Sequence, residues 1–470
     1  MDYGEDSLWY DDEVLSSVNR YEEMLKKRTR YFFDVHEFED IIDYYLDTRN
    51  FAKASFAAEH ANSIYPTATS IKLRMAEILI DQGEPAKALN ILNKLARIES
   101  EDYAVHLLRG TALNRMGKPR EAQRQFEKAI SLADENKIAV LYNIAISFEN
   151  IKQYKVALKY FMKVQQMDPE NYYLHYDLAF CYERMEQYDK SIEHYHKFLD
   201  EDPFSEHVWY NLGILYNKKE DNEKALEAYD YAIAIAPKYS SAYFNKANTL
   251  SLLDLNVEAI NTYLDFLDLE PDSAAAYCYI GECYERLEIC DMANIYYMKS
   301  IVLDDKFADA WFGKGVINSM NGSYDLAIED FEIALSLNED NPEYMFSMAA
   351  TYELMEEYEK AIEIFKILIQ TEAENSTIWD AFAQTYGKLG NFEEARNIIR
   401  KALQNNPKEV FLYYRLAAFL LLNDERIEGM TILEEALKDY PEECNYFFET
   451  YEIDSDDYEL QAVIKKYFKS

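Results

Sequence analysis

Residues 209–237 read WYNLGILYNKKEDNEKALEAYDYAIAIAP. Trp209, Leu212, Leu215 and Tyr216 fall at helical spacing. A polar break, Lys218-Lys219-Glu220-Asp221-Asn222, follows. Ala225, Leu226, Tyr229, Ala232 and Ile233 then make a second apolar stripe, and Pro237 stops it. The pattern predicts two helices joined by a short turn.

The stretch is one copy of many. Stepping 34 residues from Pro237 reaches Pro203, Pro169 and Pro271. The Ala225 position recurs as Ala259, Ala293, Ala327, Ala361 and Ala395, and backwards as Ser191 and Ala157. One extra residue near Lys137 shifts the register, and Ala122, Ala88 and Ala54 continue the series; the last copy has Gly429. The Gly213 position is Ala or Gly in every copy except Ile42, and the Tyr229 position is aromatic from Phe126 to Phe365. A small residue on each helix lets two backbones approach, and the aromatic one turn further on fills the remaining gap. Gly83, Gly117, Gly322 and Gly390 fall in the break, where a left-handed helix end is expected. One such hairpin cannot bury both faces, so the copies must stack into a solenoid.

Composition agrees and excludes alternatives. Twelve glycines and ten prolines in 470 residues disfavour sheet sandwiches and Gly-rich nucleotide-binding turns. The formal net charge of −39 repels phosphate backbones and anionic lipid, so neither nucleic acid nor a membrane surface is an expected partner. No run reaches the roughly 18 apolar residues of a membrane span, and MDYGEDSLWYDDE lacks the basic and apolar regions of a signal peptide. Five irregularly spaced cysteines fit a reducing compartment. A cytoplasmic location is expected.

The 34-residue period with W-x₂-L-G-x₂-Y, A-x₃-F and a closing Pro resembles the tetratricopeptide repeat (TPR). Residues Trp209, Leu212, Gly213, Tyr216, Ala225, Tyr229, Ala232 and Pro237 carry it. The resemblance implies an all-α fold, a right-handed superhelical α-solenoid. Units are placed at 35–68, 69–102, 103–137, 138–171, 172–205, 206–239, 240–273, 274–307, 308–341, 342–375, 376–409 and 410–443. Residues 1–34 read as an acidic leader with a capping helix over Leu15–Phe33. Residues 444–470 read as a second cap, N-capped by Ser455 with Asp456 and Asp457 at its positive end, and with Leu460, Ile464, Tyr467 and Phe468 as its stripe. Arg109, Lys246 and Lys314 stand in a slot that is normally Leu, and Asn318 in an aromatic one.

No phosphate-binding loop, dinucleotide fingerprint or H-E-x-x-H occurs. His175, His194, His196 and His207 make a metal site conceivable, but solvated or packing histidines are the better reading. Cys278, Cys283 and Cys290 read as small buried hydrophobes. No cofactor and no metal are expected, and no enzymatic activity.

The resemblance implies that the inner face of the first helices lines a groove for a partner peptide or helix. Tyr142, Asn143, Tyr176, Arg184, Tyr210, Asn211, Asn217, Lys218, Phe244, Asn245 and Asn248 would face it. Asparagine can donate to and accept from a peptide backbone at once. Arg115, Arg184, Lys218, Arg286 and Lys388, all at position 13, form a basic line, partly neutralised by Glu149, Glu183, Glu285 and Glu353 at position 12, that points weakly to an acidic segment. The lysine-and-asparagine clamp that holds Hsp70 and Hsp90 C-terminal peptides is not present in three successive units, so those peptides are disfavoured. The chain reads as a protein-interaction scaffold or adaptor, the alternative being a self-assembling or regulatory subunit of a larger complex. Replacing Ala225 with Leu should overpack the helix contact and cost about 1–3 kcal/mol; a thermal melt identical to the parent's would contradict the register.

Overall fold

The computed structural model describes residues 11–452 and 457–467, and every regular element among them is helical. The chain forms two compact units that divide between Asp221 and Asn222. The first begins with α1 (Asp12–Lys27), α2 (Val35–Asp47), α3 (Phe51–Ile64) and α4 (Thr69–Asp81). It continues with α5 (Pro85–Leu95), α6 (Tyr103–Arg115), α7 (Pro119–Leu132) and α8 (Lys137–Asn150). It ends with α9 (Tyr154–Met167), α10 (Leu174–Arg184), α11 (Tyr188–Glu201) and α12 (Glu206–Lys218).

The second unit opens with α13 (Asn222–Ile235), α14 (Ser240–Leu252), α15 (Asn256–Leu269), α16 (Ala274–Arg286) and α17 (Cys290–Leu303). Then come α18 (Ala308–Met320), α19 (Tyr324–Leu337), α20 (Pro342–Leu354), α21 (Tyr358–Thr371) and α22 (Ser376–Lys388). The last are α23 (Phe392–Asn405), α24 (Val410–Leu422), α25 (Arg426–Asp439), α26 (Asn445–Phe448) and α27 (Tyr458–Tyr467).

Consecutive helices pack on one another from α1 to α12 and from α13 to α25, while α26 packs on α24 and α27 on α25. The small slot on the first helix of a pair meets the aromatic slot on the second. A Cβ placed on Gly110 would lie 2.4 Å from the Phe126 ring, on Gly281 2.8 Å from Tyr297, and on Gly315 2.7 Å from Phe331. Contacts that short are not compatible with an undisturbed ring, so in these copies the ring occupies the space of the missing methyl. The aromatic slot is buried throughout, from Phe126 and Phe161 to Phe331 and Phe365. Ser191 replaces Ala in the second helix and loses nothing by it: its buried hydroxyl donates to the Ala179 carbonyl at 2.8 Å, on the facing small slot.

The turns are uniform where the sequence is not. Gly83, Gly117, Gly322 and Gly390 take φ of 72–80°. Arg49, Lys152, Glu186, Glu288 and Glu356 occupy the same place in their turns with φ of 54–61°. Left-handed backbone costs a residue with a Cβ about 1–2 kcal/mol. The next N–H offsets this by closing back onto the helix, as Gln187 does on the Tyr182 carbonyl (3.0 Å) and Glu357 on that of Tyr352 (2.9 Å).

Departures from the repeat pattern are compensated locally. Lys314 and Asn318 both reach Asp330, Nζ at 2.6 Å and Nδ2 at 2.7 Å, so two polar residues in apolar slots satisfy one buried carboxylate. Lys246 pairs with Asp230 at 2.6 Å. Arg109 has no such partner for its buried Nε among the described residues.

The ends differ from expectation. α1 stops at Lys27, short of Phe33, because its buried stripe (Val18, Tyr21, Met24) runs into the polar Lys26-Lys27-Arg28, and Arg28 turns left-handed at φ 54°. Phe33 is buried all the same, its ring edge-on to Tyr21 at 5.6 Å. The expected leader falls mostly in residues 1–10, outside the described residues. At the other end Ser455, Asp456 and Phe468 also lie outside them. Asp457 serves as the helix cap, its carboxylate accepting from the Leu460 N–H at 3.0 Å. α27 packs on α25 through buried Leu460, with Val463, Ile464 and Tyr467 beside it.

One buried charge ties this end together. Arg415 is 3 % exposed. Its Nε donates to Asp380 (3.0 Å), one terminal nitrogen to the Tyr446 carbonyl (2.8 Å) and Thr450 hydroxyl (2.6 Å), and the other to Glu449 (2.7 Å). Replacing Arg415 with Leu would leave the buried Asp380 carboxylate without an ion pair and with only the Gln384 amide as donor, a loss of about 3–5 kcal/mol. Hydrogen exchange should show α22, α24 and α26 deprotected together; protection unchanged in all three would contradict this role.

Candidate interaction surface

The side chains singled out on the first helices are half-buried or exposed, and most of them already make contacts inside the chain. In the first compact unit, Tyr142 packs edge-on against Phe161 (5.6 Å) and hydrogen-bonds Asp177 on the following first helix. Asn143 is exposed and donates to the Ala139 carbonyl of its own helix at 3.0 Å. Tyr176 packs on Tyr195 and Phe198. Asn211 donates long hydrogen bonds to the hydroxyls of Tyr176 (3.3 Å) and Tyr195 (3.4 Å), and its carbonyl oxygen accepts from no described residue. Tyr210 and Asn217 are half-buried. Contacts thus run from α8 to α10 through Tyr142 and Asp177, and from α10 to α12 through Tyr176 and Asn211.

In the second compact unit the corresponding residues are drawn further into packing. The Phe244 ring touches those of Phe266 (5.1 Å), Tyr279 (5.8 Å) and Tyr263 (5.9 Å). Asn248 accepts from the Tyr263 hydroxyl. Asn245 is half-buried. The tryptophan slot is likewise occupied by a structural contact. The indole N–H of Trp311 donates to the Asp305 carbonyl (2.9 Å), and that of Trp379 to Ala373 (2.8 Å).

The basic line at position 13 has to be corrected. It is not an open cationic strip, because four of its five cations reach back about one repeat to the preceding first helix. Arg115 meets the Ile80 carbonyl (2.9 Å) and Asp81 (3.1 Å). Lys218 meets Glu183 (2.8 Å), Arg286 the Ser251 carbonyl (3.0 Å), and Lys388 Glu353 (2.8 Å). These are inter-repeat ties, and they remove the reason to expect an acidic ligand.

Arg184 breaks the series. It lies over the Phe180 ring at 4.9 Å, and Glu149, the carboxylate it would have met, makes no ion pair among the described residues. Glu149 accepts instead from the Cys181 thiol at 3.8 Å. Burial, then repulsion from Asp177, pushes Glu149 up to about 7; burial pushes Asp177 up to about 6 and the Cys181 thiol well above its ordinary range. Glu282 in the second compact unit is also raised by burial to about 7. The sequence reading passed over Asp177 because it stands where neighbouring units have Asn.

The histidines form a pair. His175 Nδ1 and His194 Nδ1 are 2.8 Å apart, and burial first, then His175 and Lys197, lowers His194 to about 4. Among the described residues no group of three or more His, Cys, Asp and Glu side chains is placed to hold a metal ion. Cys181, Cys278, Cys283 and Cys444 are buried free thiols. No helix of the described residues is long and apolar enough to cross a membrane.

A carboxyl whose folded value is raised stabilises the fold below about pH 4, its unfolded range, and that contribution is lost as pH rises to about 7. The region α8–α10 should therefore become less stable between about pH 4 and 7. The Glu149→Gln variant should flatten this loss in pH-dependent hydrogen exchange; an equal slope in parent and variant would remove Glu149 as the cause.

Three family models match parts of the chain. The Psidin N-terminal TPR repeats region covers residues 74–194, a tetratricopeptide repeat 208–239, and subunit 3 of the anaphase-promoting complex, or cyclosome, 320–402. No curated protein sequence matches. Among solved structures, the APC/C hetero-tetramer Cut9-Hcn1 is 14% identical, covering 87% of this chain and 94% of that one with a TM-score of 0.43. The MamA protein is 24% identical over 37% of this chain and 94% of its own, with a TM-score of 0.35. YrrB, described as a TPR protein with an unusual peptide-binding site, is 16% identical over 40% and 96%, with a TM-score of 0.34. With the recurrent hairpins, the small-against-aromatic slots and these repeat models together, the chain is a tetratricopeptide-repeat protein.

Proposed function

We propose that this chain is a non-enzymatic scaffold that holds a segment of a partner protein against its first helices, within the twelve-unit arrangement from 35 to 443. The observation that carries the reading is the line from Tyr142 and Asn143 on α8, through Tyr176 and Asp177 on α10, to Tyr210 and Asn211 on α12. These side chains are partly accessible, and Asn211 has an unused acceptor beside two hydroxyls. An extended backbone could pair with such a row, while the rings offer apolar contact. In the second compact unit, Phe244, Asn245 and Asn248 are the corresponding positions on α14, with less free capacity, since Phe244 and Asn248 are engaged in packing. Arg184 and Lys218 would border the row as local structure. Of the position-13 cations in this compact unit Arg115 and Lys218 are paired and Arg184 lies on the Phe180 ring, while Glu149 is in no ion pair among the described residues, so a segment carrying a Lys or Arg fits this face better than an acidic one.

A second reading has its own observation. The match of 320–402 to a subunit of the anaphase-promoting complex favours a structural or regulatory subunit held in a larger assembly. The two readings differ in where contacts fall. With a photo-crosslinking residue at Tyr210 in the full chain in its native host, the scaffold reading expects crosslinks there. It also expects the Tyr210→Ala/Asn211→Ala variant to lose the same partner while its helical circular dichroism stays unchanged. Crosslinks confined to 320–402, with the variant still bound, would favour the assembly subunit.

A further inference from the structure

The outer side of α17 is apolar where a solvated helix should be polar. Its inner side buries Ala293, Tyr296, Tyr297 and Ile301. The opposite side exposes Ile295, Met298 and Val302, at i, i+3 and i+7, and Val302 is 79 % exposed. α17 packs on α16 and α18, which in turn pack on α15 and α19. These flanking second helices also expose apolar side chains, Leu264 on α15 and Leu326 and Ile333 on α19. Isolated exposed apolar residues need no explanation, but a stripe at helical spacing with matching neighbours marks an interaction face.

The charges around it state what would fit. Asp265 and Asp268 on α15, Asp291 on α17, and Glu329 and Glu332 on α19 are exposed, and none is in an ion pair among the described residues. Lys299 lies over the Tyr296 ring at 4.4 Å. The patch is thus an apolar stripe in an anionic frame. A second copy of the chain would bring net charge −39 against it, so self-association through this face is opposed.

We infer that the outer face of α15, α17 and α19 docks an amphipathic helix of another protein, with an apolar stripe flanked by Lys or Arg. The apolar side chains would cover Ile295, Met298 and Val302, and the flanking cations would meet the carboxylates of α15 and α19. This face shares no residue with the row on α8, α10 and α12, so the two proposals fail independently.

The test uses the full chain and two labelled model peptides about 18 residues long, five helical turns. Both carry Leu at i, i+3 and i+7; one is flanked by Lys, the other by Glu. Fluorescence anisotropy should show binding of the Lys peptide alone, weakening as salt rises. Met298→Asp/Val302→Asp should weaken it by about tenfold or more, Asp265→Lys/Glu329→Lys should shift preference toward the Glu peptide, and Tyr210→Ala/Asn211→Ala should leave it unchanged. All these substitutions are at partly or fully exposed positions, and circular dichroism checks that each variant is folded. No binding of the Lys peptide up to about 100 µM, equal binding of both peptides, or binding unaffected by Met298→Asp/Val302→Asp would overturn the inference. So would concentration-dependent dimerisation in sedimentation equilibrium, or capture by neutral lipid vesicles, if abolished by that same double variant.

Discussion

The close approach of two helices at one small residue is the constraint on which the rest of this structure depends. Where Gly110, Gly281 or Gly315 faces its aromatic partner, no methyl would fit between backbone and ring. That contact sets the separation of the pair, and the ring seals what remains. The turn then has one geometry available, which is why Glu186 and Glu356 accept the left-handed backbone that Gly83 adopts without cost. Close packing also explains the compensations, because a polar group admitted beside these contacts must bring its partner, as Ser191 does on Ala179 and Lys314 with Asn318 on Asp330.

Stacking consumes more of the surface than a list of groove positions suggests. Tryptophan N–H groups close onto carbonyls just before their own helices, and position-13 cations close onto the preceding repeat. In a chain with 48 basic and 87 acidic residues, each internal ion pair uses one cation and one carboxylate, so the acidic excess stays on the unpaired groups. Glu149 shows the consequence at one site: its cation has turned onto Phe180, and its carboxyl is held protonated to higher pH by burial.

Legibility in the sequence followed the range of the interaction. Small and aromatic slots, helix pairing and the glycine turns were readable, because each depends on residues within one repeat. α1 was read too long, since Phe33 continues the apolar pattern although it is buried from a non-helical segment. The role of Arg415 was invisible, because Asp380, Glu449 and Thr450 lie 34 or 35 positions away with nothing in their own neighbourhood to mark them. The basic line was legible as a pattern, and Glu183 and Glu353 at position 12 were legible as its partial neutralisers; repeat spacing did not show that Lys218 and Lys388 close onto them across one repeat, or that Arg184 turns away from Glu149.

The sequence by itself determined the repeat, its period and the helical hairpin that WYNLGILYNKKEDNEKALEAYDYAIAIAP represents. Those follow from apolar periodicity and the volume of single slots, which are local. Only the tertiary structure decided which polar and charged groups are spent on holding neighbours together and which are left over. Ion pairs and hydrogen bonds act across a few ångströms of space, and here they join residues 12 to 35 positions apart. The sign and chemistry of what a partner would meet therefore belong to the fold and not to the repeat.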